Sequence, residues 1–248
     1  MTLRLRLLAA ALVLPLSAAA QQLTVSAAAS LTDAFREVGR RFEAFRPGVT
    51  VRFNFAASGV LMQQIAQGAP ADVFASADQE TMDRGVALRL VDAASRRDFA
   101  ANTLVLIVPA RDAPPVEQLA DLRQPAIRRV AIGKPATVPV GRYTREALVA
   151  AGLWSALEPR LVQADSVRQV LDYVARGETE AGFVYRTDAA VMADKVRIVQ
   201  TLRDHPPVRY PVAAVADSRH PVLAREFTAF LTGAQAQEVL VRFGFVPP

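Results

Sequence analysis

Several stretches of this chain place a small or hydroxyl-bearing residue where an extended run gives way to a helical pattern. Ala27-Ala28-Ala29-Ser30 precedes a helix from Leu31, and Phe55-Ala56-Ala57-Ser58-Gly59 precedes one from Val60. Val138-Pro139-Val140-Gly141 leads into the helix carrying Tyr143 and Leu148, and Asp165-Ser166-Val167 into the one carrying Val170 and Leu171. Gly182-Phe183-Val184-Tyr185 ends a strand before a further helix. A helix start exposes N–H groups with no intrahelical acceptor, together with a partial positive charge. Small residues let an anion approach that backbone, so converging helix starts form an anion site that needs no Lys or Arg. Each residue also has a plainer role. Ser30 and Ser58 suit helix N-caps, Val140 and Val167 suit a core with only their N–H groups free to bind, and Tyr185 suits packing with its hydroxyl in water.

Other chemistry has little to work with. The 248 residues include no cysteine, which excludes disulfides, thiolate metal sites and cysteine nucleophiles. The two histidines, His205 and His220, each precede a proline in polar loop sequence, where solvated or capping roles are usual. There is no nucleophile elbow, zinc-protease helix, phosphate loop or dinucleotide-binding glycine motif. Asp72 and Asp78 flank a short strand and suit capping or structural roles. The formal charge is +5, but the arginines are spread among Asp and Glu with no block of like charge, so a nucleic-acid partner is not indicated.

These residues must be positioned by the elements around them. The chain is 52% hydrophobic and 21% charged, which supports a folded core and excludes disorder as its main state. Arg4 and Arg6, the apolar stretch Leu7–Leu16 and Ala18-Ala19-Ala20 form a secretory signal pattern over residues 1–20. No later run approaches the ~18 apolar residues of a membrane span. Without cysteine there is no lipid anchor, so a soluble exported protein is expected. From Gln21 onward, short β-rich runs alternate with helical patterns, which predicts mostly parallel sheets covered by helices. One series runs from Leu23 to near Asn102, and a second starts at Thr103. The expected division is residues 21–102 plus 212–248 in one lobe and 103–211 in the other, with the segment around Pro211 leading back to the first. In such folds ligands bind at the edge where strands end and helices start.

At these same residues the sequence resembles the periplasmic molybdate-binding proteins of the ModA family. The similarity is carried by Ala27-Ala28-Ala29-Ser30-Leu31-Thr32, by the specific run from Gly68-Ala69-Pro70-Ala71-Asp72 through Ser76-Ala77-Asp78, and by Val138-Pro139-Val140-Gly141-Arg142-Tyr143. Gly182-Phe183-Val184-Tyr185, Tyr210-Pro211-Val212-Ala213 and Arg242-Phe243-Gly244-Phe245 continue it to the end. The resemblance implies an α/β type II periplasmic binding protein fold, with two lobes joined by hinge strands and the ligand in the cleft between them. It implies that molybdate or tungstate is held by the Ser30 and Ser58 hydroxyls and N–H groups, the Val140 and Val167 N–H groups and the Tyr185 hydroxyl. No direct cation ligand and no cofactor are implied. Many relatives carry more serine where this chain has Ala57 and Gly59, and some carry alanine in place of Val140. The implied function is capture of the anion in the periplasm, as a monomer, and delivery to an inner-membrane ABC transporter permease, without catalysis. Arg142 and Arg186 adjoin the implied ligand positions and read as rim charges that steer an anion. A receptor for sulfate or another tetrahedral oxyanion, a secreted enzyme on the same fold, and a signalling module read by a partner in its closed form stay open.

Overall fold

Leu23, Val25 and Ala27 alternate with polar residues, and Ala34, Phe35, Val38 and Phe42 recur at helical spacing; all seven are buried. Those two periods set the opening strand–helix pair. The computed structural model describes residues 21–248, so the expected signal peptide, residues 1–20, lies outside the described residues. In chain order the first elements are β1 (Gln21–Ala28), α1 (Thr32–Phe45), β2 (Val49–Ala56), α2 (Ser58–Ala66), β3 (Val73–Ala75), α3 (Gln79–Ala87) and β4 (Arg97–Asn102). There follow β5 (Leu104–Pro109), β6 (Val130–Gly133), α4 (Pro139–Ala150), α5 (Trp154–Leu157), β7 (Leu161–Ala164), α6 (Val167–Ala175), β8 (Ala181–Tyr185), α7 (Arg186–Val191) and β9 (Val196–Thr201). β10 (Val208–Ala214), α8 (Pro221–Leu231) and α9 (Ala234–Arg242) complete the chain.

The strands form two five-stranded sheets, ordered β2-β1-β3-β10-β4 and β7-β6-β8-β5-β9. Each is the centre of one α/β lobe. Both sheets are mixed rather than mostly parallel: β10 runs antiparallel to β3 and β4, and β5 antiparallel to β8 and β9. The reversals follow from two chain crossings. β4 passes directly into β5 through Thr103, and β9 returns to β10 through Leu202–Pro207. The crossings lie side by side, because Val208 at the start of β10 pairs with Asn102 at the end of β4. β4 was not expected from the sequence. Arg97, Asp98 and Asn102 lack the β-branched alternation of a strand, and tertiary pairing with β10 imposes the extended conformation.

The first lobe buries an aromatic cluster under α1. The Phe42 and Phe227 rings meet edge to face at 5.0 Å, and Phe35 lies 5.6 Å from Phe99. Each such ring contributes about 1.5–3 kcal/mol through burial. Phe45 shares the helical face by spacing but sits in the last turn and is 56% exposed. In the second lobe β5 is buried along Leu104–Val108, as a strand covered on both faces must be.

Close packing places the start of α4 against β6. A Cβ on Gly141 would stand 1.9 Å from the carbonyl oxygen of Gly133, a backbone atom that cannot move aside. Gly141→Ala is therefore expected to destabilise the protein by about 3 kcal/mol or more. Urea unfolding of the purified variant checks this, and a loss below about 1 kcal/mol contradicts the packing described.

Candidate functional site

The five residues singled out in the sequence come together where the lobes meet. Ser30, Ser58, Val140, Val167 and Tyr185 line one small cavity, with Ala28, Ala29, Ala57, Ala77, Val138 and Pro139 completing its wall. No charged side chain lines it. All five are buried, Tyr185 and Ser58 almost completely.

Each group reaches the cavity through its element. Ser30 lies in a 3-10 turn, Ala29–Leu31, between β1 and α1. It caps no helix; its Oγ lies 3.1 Å from the Tyr210 hydroxyl. Ser58 is the first residue of α2, and the preceding Ala57 supplies no side-chain cap. Its Oγ instead accepts the Ala77 N–H at 3.0 Å, which leaves the Ser58 hydrogen free to donate elsewhere. Capping, the plainer role for both serines, is thus replaced by tertiary hydrogen bonds. α4 starts at Pro139 with no side-chain cap, and Val140 follows it. The Val140 Cγ1 faces the Cα of Gly133, so its side chain packs on β6. α6 starts at Val167 after Ser166, whose Oγ accepts the Gln169 N–H at 3.2 Å. Among the described residues no protein acceptor meets the N–H of Ser58, Val140 or Val167. The Tyr185 hydroxyl is also buried without a partner among them. Burial pushes the Tyr185 phenol well above its ordinary range, so it stays a neutral donor. The cavity therefore presents hydrogen-bond donors, three of them at or near helix starts.

Charges surround the cavity in pairs that tie the lobes together. Arg142 on α4 donates to Asp78 from Nε at 2.8 Å and to Thr81 Oγ1 at 2.7 Å, both at the start of α3. Asp78 also caps α3 by accepting the Thr81 N–H. Arg142 is therefore committed across the cleft, not free on the rim. Arg186 remains exposed and donates to Thr201 Oγ1. Arg168, next to Val167, reaches Asp33 of α1 at 2.8 Å and Asp188 of α7 at 2.6 Å. Burial pushes the Asp188 carboxyl up to about 6 against the pull of Arg168. Partly buried pairs of this kind gain little net energy, since desolvation offsets attraction. They fix how the lobes dock. The Gly59 N–H adds a backbone bond to Thr137 O at 3.0 Å across the same seam.

The other polar candidates are structural. Asp72 accepts the Thr24 N–H and the Ser218 hydroxyl, both at 2.7 Å. His205 lies outside the cavity wall, its ring 5.6 Å from Tyr143 and its nitrogens facing the Leu202 and Pro206 carbonyls. His220 precedes α8 without a side-chain cap. Among the described residues no His, Asp or Glu cluster could hold a metal ion. The sequence did not single out Asn102, Tyr210 or Ala77 as site-supporting residues. Tyr210, the one phenol in a strand whose only other polar residue, Arg209, is exposed, was the one visible signal.

Known proteins resemble this chain in sequence and fold. The model of the bacterial extracellular solute-binding protein family matches residues 23–246. The molybdate-binding protein ModA of Escherichia coli is 38% identical over 230 residues, covering 90% of this chain and 88% of its own. ModA of Mycobacterium tuberculosis is 39% identical over 230 residues, covering 92% and 86%. The chain belongs to the ModA family of extracellular solute-binding proteins. The substrate-binding domain of a molybdenum ABC transporter from Clostridium difficile superposes with a TM-score of 0.69 at 34% identity, covering 92% of this chain and 99% of that one. The Azotobacter vinelandii periplasmic molybdate-binding protein superposes with a TM-score of 0.79 over 91% of this chain and 99% of that one; at 24% identity it speaks for the two-lobed fold.

The seam at Gly59 has no spare room. A Cβ there would lie 2.6 Å from the Thr137 oxygen in the opposite lobe. Gly59→Ala is expected to hold the lobes apart while α2 stays intact, since alanine favours a helix by about 0.5–1 kcal/mol. Small-angle scattering should give a larger radius of gyration than the parent, with unchanged circular dichroism. Equal radii would show that the seam yields.

Proposed function

We propose that this protein captures molybdate, and tungstate equally, in the cavity between its lobes and delivers the anion to an ABC transporter permease. The Ser30, Ser58 and Tyr185 hydroxyls and the backbone N–H groups of Ser30, Ser58, Val140 and Val167 hold the four oxygens. The observation that carries this reading is the buried Tyr185 hydroxyl, which lacks a partner among the described residues and lines a donor-bearing cavity with no charged side chain. A buried hydroxyl without a partner costs about 1–3 kcal/mol, and an anionic oxygen offsets that cost. Names of relatives at 38–39% identity support molybdate as the anion. Members of this family bind and hand over solutes rather than transform them, and the ligand is cargo, not a cofactor.

The chemistry suits a tetrahedral dianion. Molybdate and tungstate offer only acceptors at neutral pH, so a set of donors satisfies them. Their near-identical size predicts weak discrimination between them. Sulfate carries the same charge and acceptors, so cavity size is the filter against it. Closure excludes water and strengthens each bond to the anion. Family membership places the working protein outside the cytoplasm. A periplasmic location, export by residues 1–20 and a monomeric state belong to the same proposal.

Isothermal titration calorimetry with molybdate, tungstate, sulfate and phosphate at equal ionic strength tests it. One-to-one binding of the first two with little heat from the others is expected. Equal binding of sulfate would make this a general oxyanion receptor, and no binding of any would overturn the reading. Ser58→Ala and Tyr185→Phe should each weaken molybdate binding by about 1–3 kcal/mol. Because burial raises the Tyr185 phenol, its proton is retained through its ordinary range, so affinity should hold level from pH 7 to 10. A fall centred near pH 10, the ordinary phenol value, would show that the hydroxyl is solvated.

A further inference from the structure

A serine hydroxyl donates one hydrogen bond and accepts others, so Ser30 by itself does not dictate which end it offers a ligand. The groups behind it do. Asn102 ends β4 at the first crossing between the lobes. Its Oδ1 accepts the Thr103 N–H at 2.8 Å, which sets the orientation of the amide. The Nδ2 then donates to Thr187 Oγ1 in the second lobe at 2.8 Å and to Tyr210 Oη on β10 at 3.2 Å. The other partner of Tyr210 Oη is Ser30 Oγ at 3.1 Å, and no third is found among the described residues. The Tyr210 ring is fully buried, and burial keeps its phenol protonated.

A phenol has one hydrogen to give. With an amide hydrogen arriving on its oxygen, Tyr210 keeps its own bond only by donating to Ser30 Oγ. The reverse direction would leave the Tyr210 hydrogen buried without an acceptor. Ser30 Oγ thus receives a hydrogen from behind, and its own hydrogen is left for the cavity. We propose that Asn102 and Tyr210 are positioning residues that lock Ser30 as a donor, so that the cavity rejects oxyanions carrying a proton. This rests on the oxyanion reading above and adds the selectivity device. The relay starts at the crossing and contacts both lobes, so it also links the docking of Thr187 to the state of Ser30.

Two isosteric changes test the relay. In Tyr210→Phe the ring stays and the incoming hydrogen goes, so the Ser30 hydroxyl is free to turn and offer a lone pair to the cavity. In Asn102→Asp the Tyr210 hydrogen turns to the new carboxylate, and the Ser30 hydrogen is drawn back toward Tyr210. Displacement titrations at pH 8 would compare the bare dianions molybdate, tungstate and sulfate with hydrogenphosphate and hydrogenarsenate, whose remaining proton needs an acceptor. Circular dichroism and melting curves identify folded variants. For Tyr210→Phe the three bare dianions should weaken severalfold and together, while their preference over the protonated pair narrows about tenfold. For Asn102→Asp molybdate should weaken more than in Tyr210→Phe. If all five anions lose affinity by one common factor in Tyr210→Phe, the relay is wrong and Tyr210 merely packs. If the parent binds none of them, the oxyanion reading itself fails.

Discussion

A donor without an acceptor is costly inside a protein, and this one gathers several at the seam between its lobes. The starts of α2, α4 and α6 leave N–H groups that nothing in the described chain accepts, and the Tyr185 hydroxyl joins them. Each would be stabilised by a cap or by water. Here alanine, valine and proline stand where caps are usual before α2 and at the start of α4, and burial removes the water. The arrangement makes sense when the missing acceptor is a ligand. The uncharged wall follows from the same logic, since helix starts and hydroxyls stabilise an anion by direction and proximity without an opposite full charge.

The rest of the structure keeps those donors facing one point. Each sheet delivers its helix starts to one edge, so a single cleft collects groups from residues 28 to 185. Arg142 with Asp78, and Arg168 with Asp33, join the lobes beside the donors they position, and Asp188 holds Arg168 from within its own lobe. Because charges lose hydration on docking, such pairs add little net energy to the contact between the lobes. The two side-by-side crossings connect the lobes without either sheet running into the other.

Much of this was readable from residue order. The helix expected from Leu31 and the strand expected to end at Tyr185 lie within a residue of α1 and β8. The five cavity residues were visible as strand-to-helix junctions rich in small or hydroxyl side chains. β4 was not, because its charged and alanine residues carry no strand signal and β10 supplies the reason for it to extend. Phe45 was placed on the buried face by spacing, but a helix end that overhangs its neighbours leaves it exposed.

Local pattern, then, determined the two α/β series and the small or hydroxyl residues at the strand-to-helix junctions, because those depend on residue types a few positions apart. Partners far apart in the chain were decided only by tertiary structure. Ser30 meets Tyr210 across 180 positions and Ser58 meets Ala77 across 19, and these contacts turn each serine from a cap into an oriented group. Arg142 looked like a free rim charge until Asp78, 64 residues away, was set against it. A hydroxyl or a guanidinium carries no mark of its eventual partner in sequence; direction and pairing arise when folding brings the second group within hydrogen-bond reach.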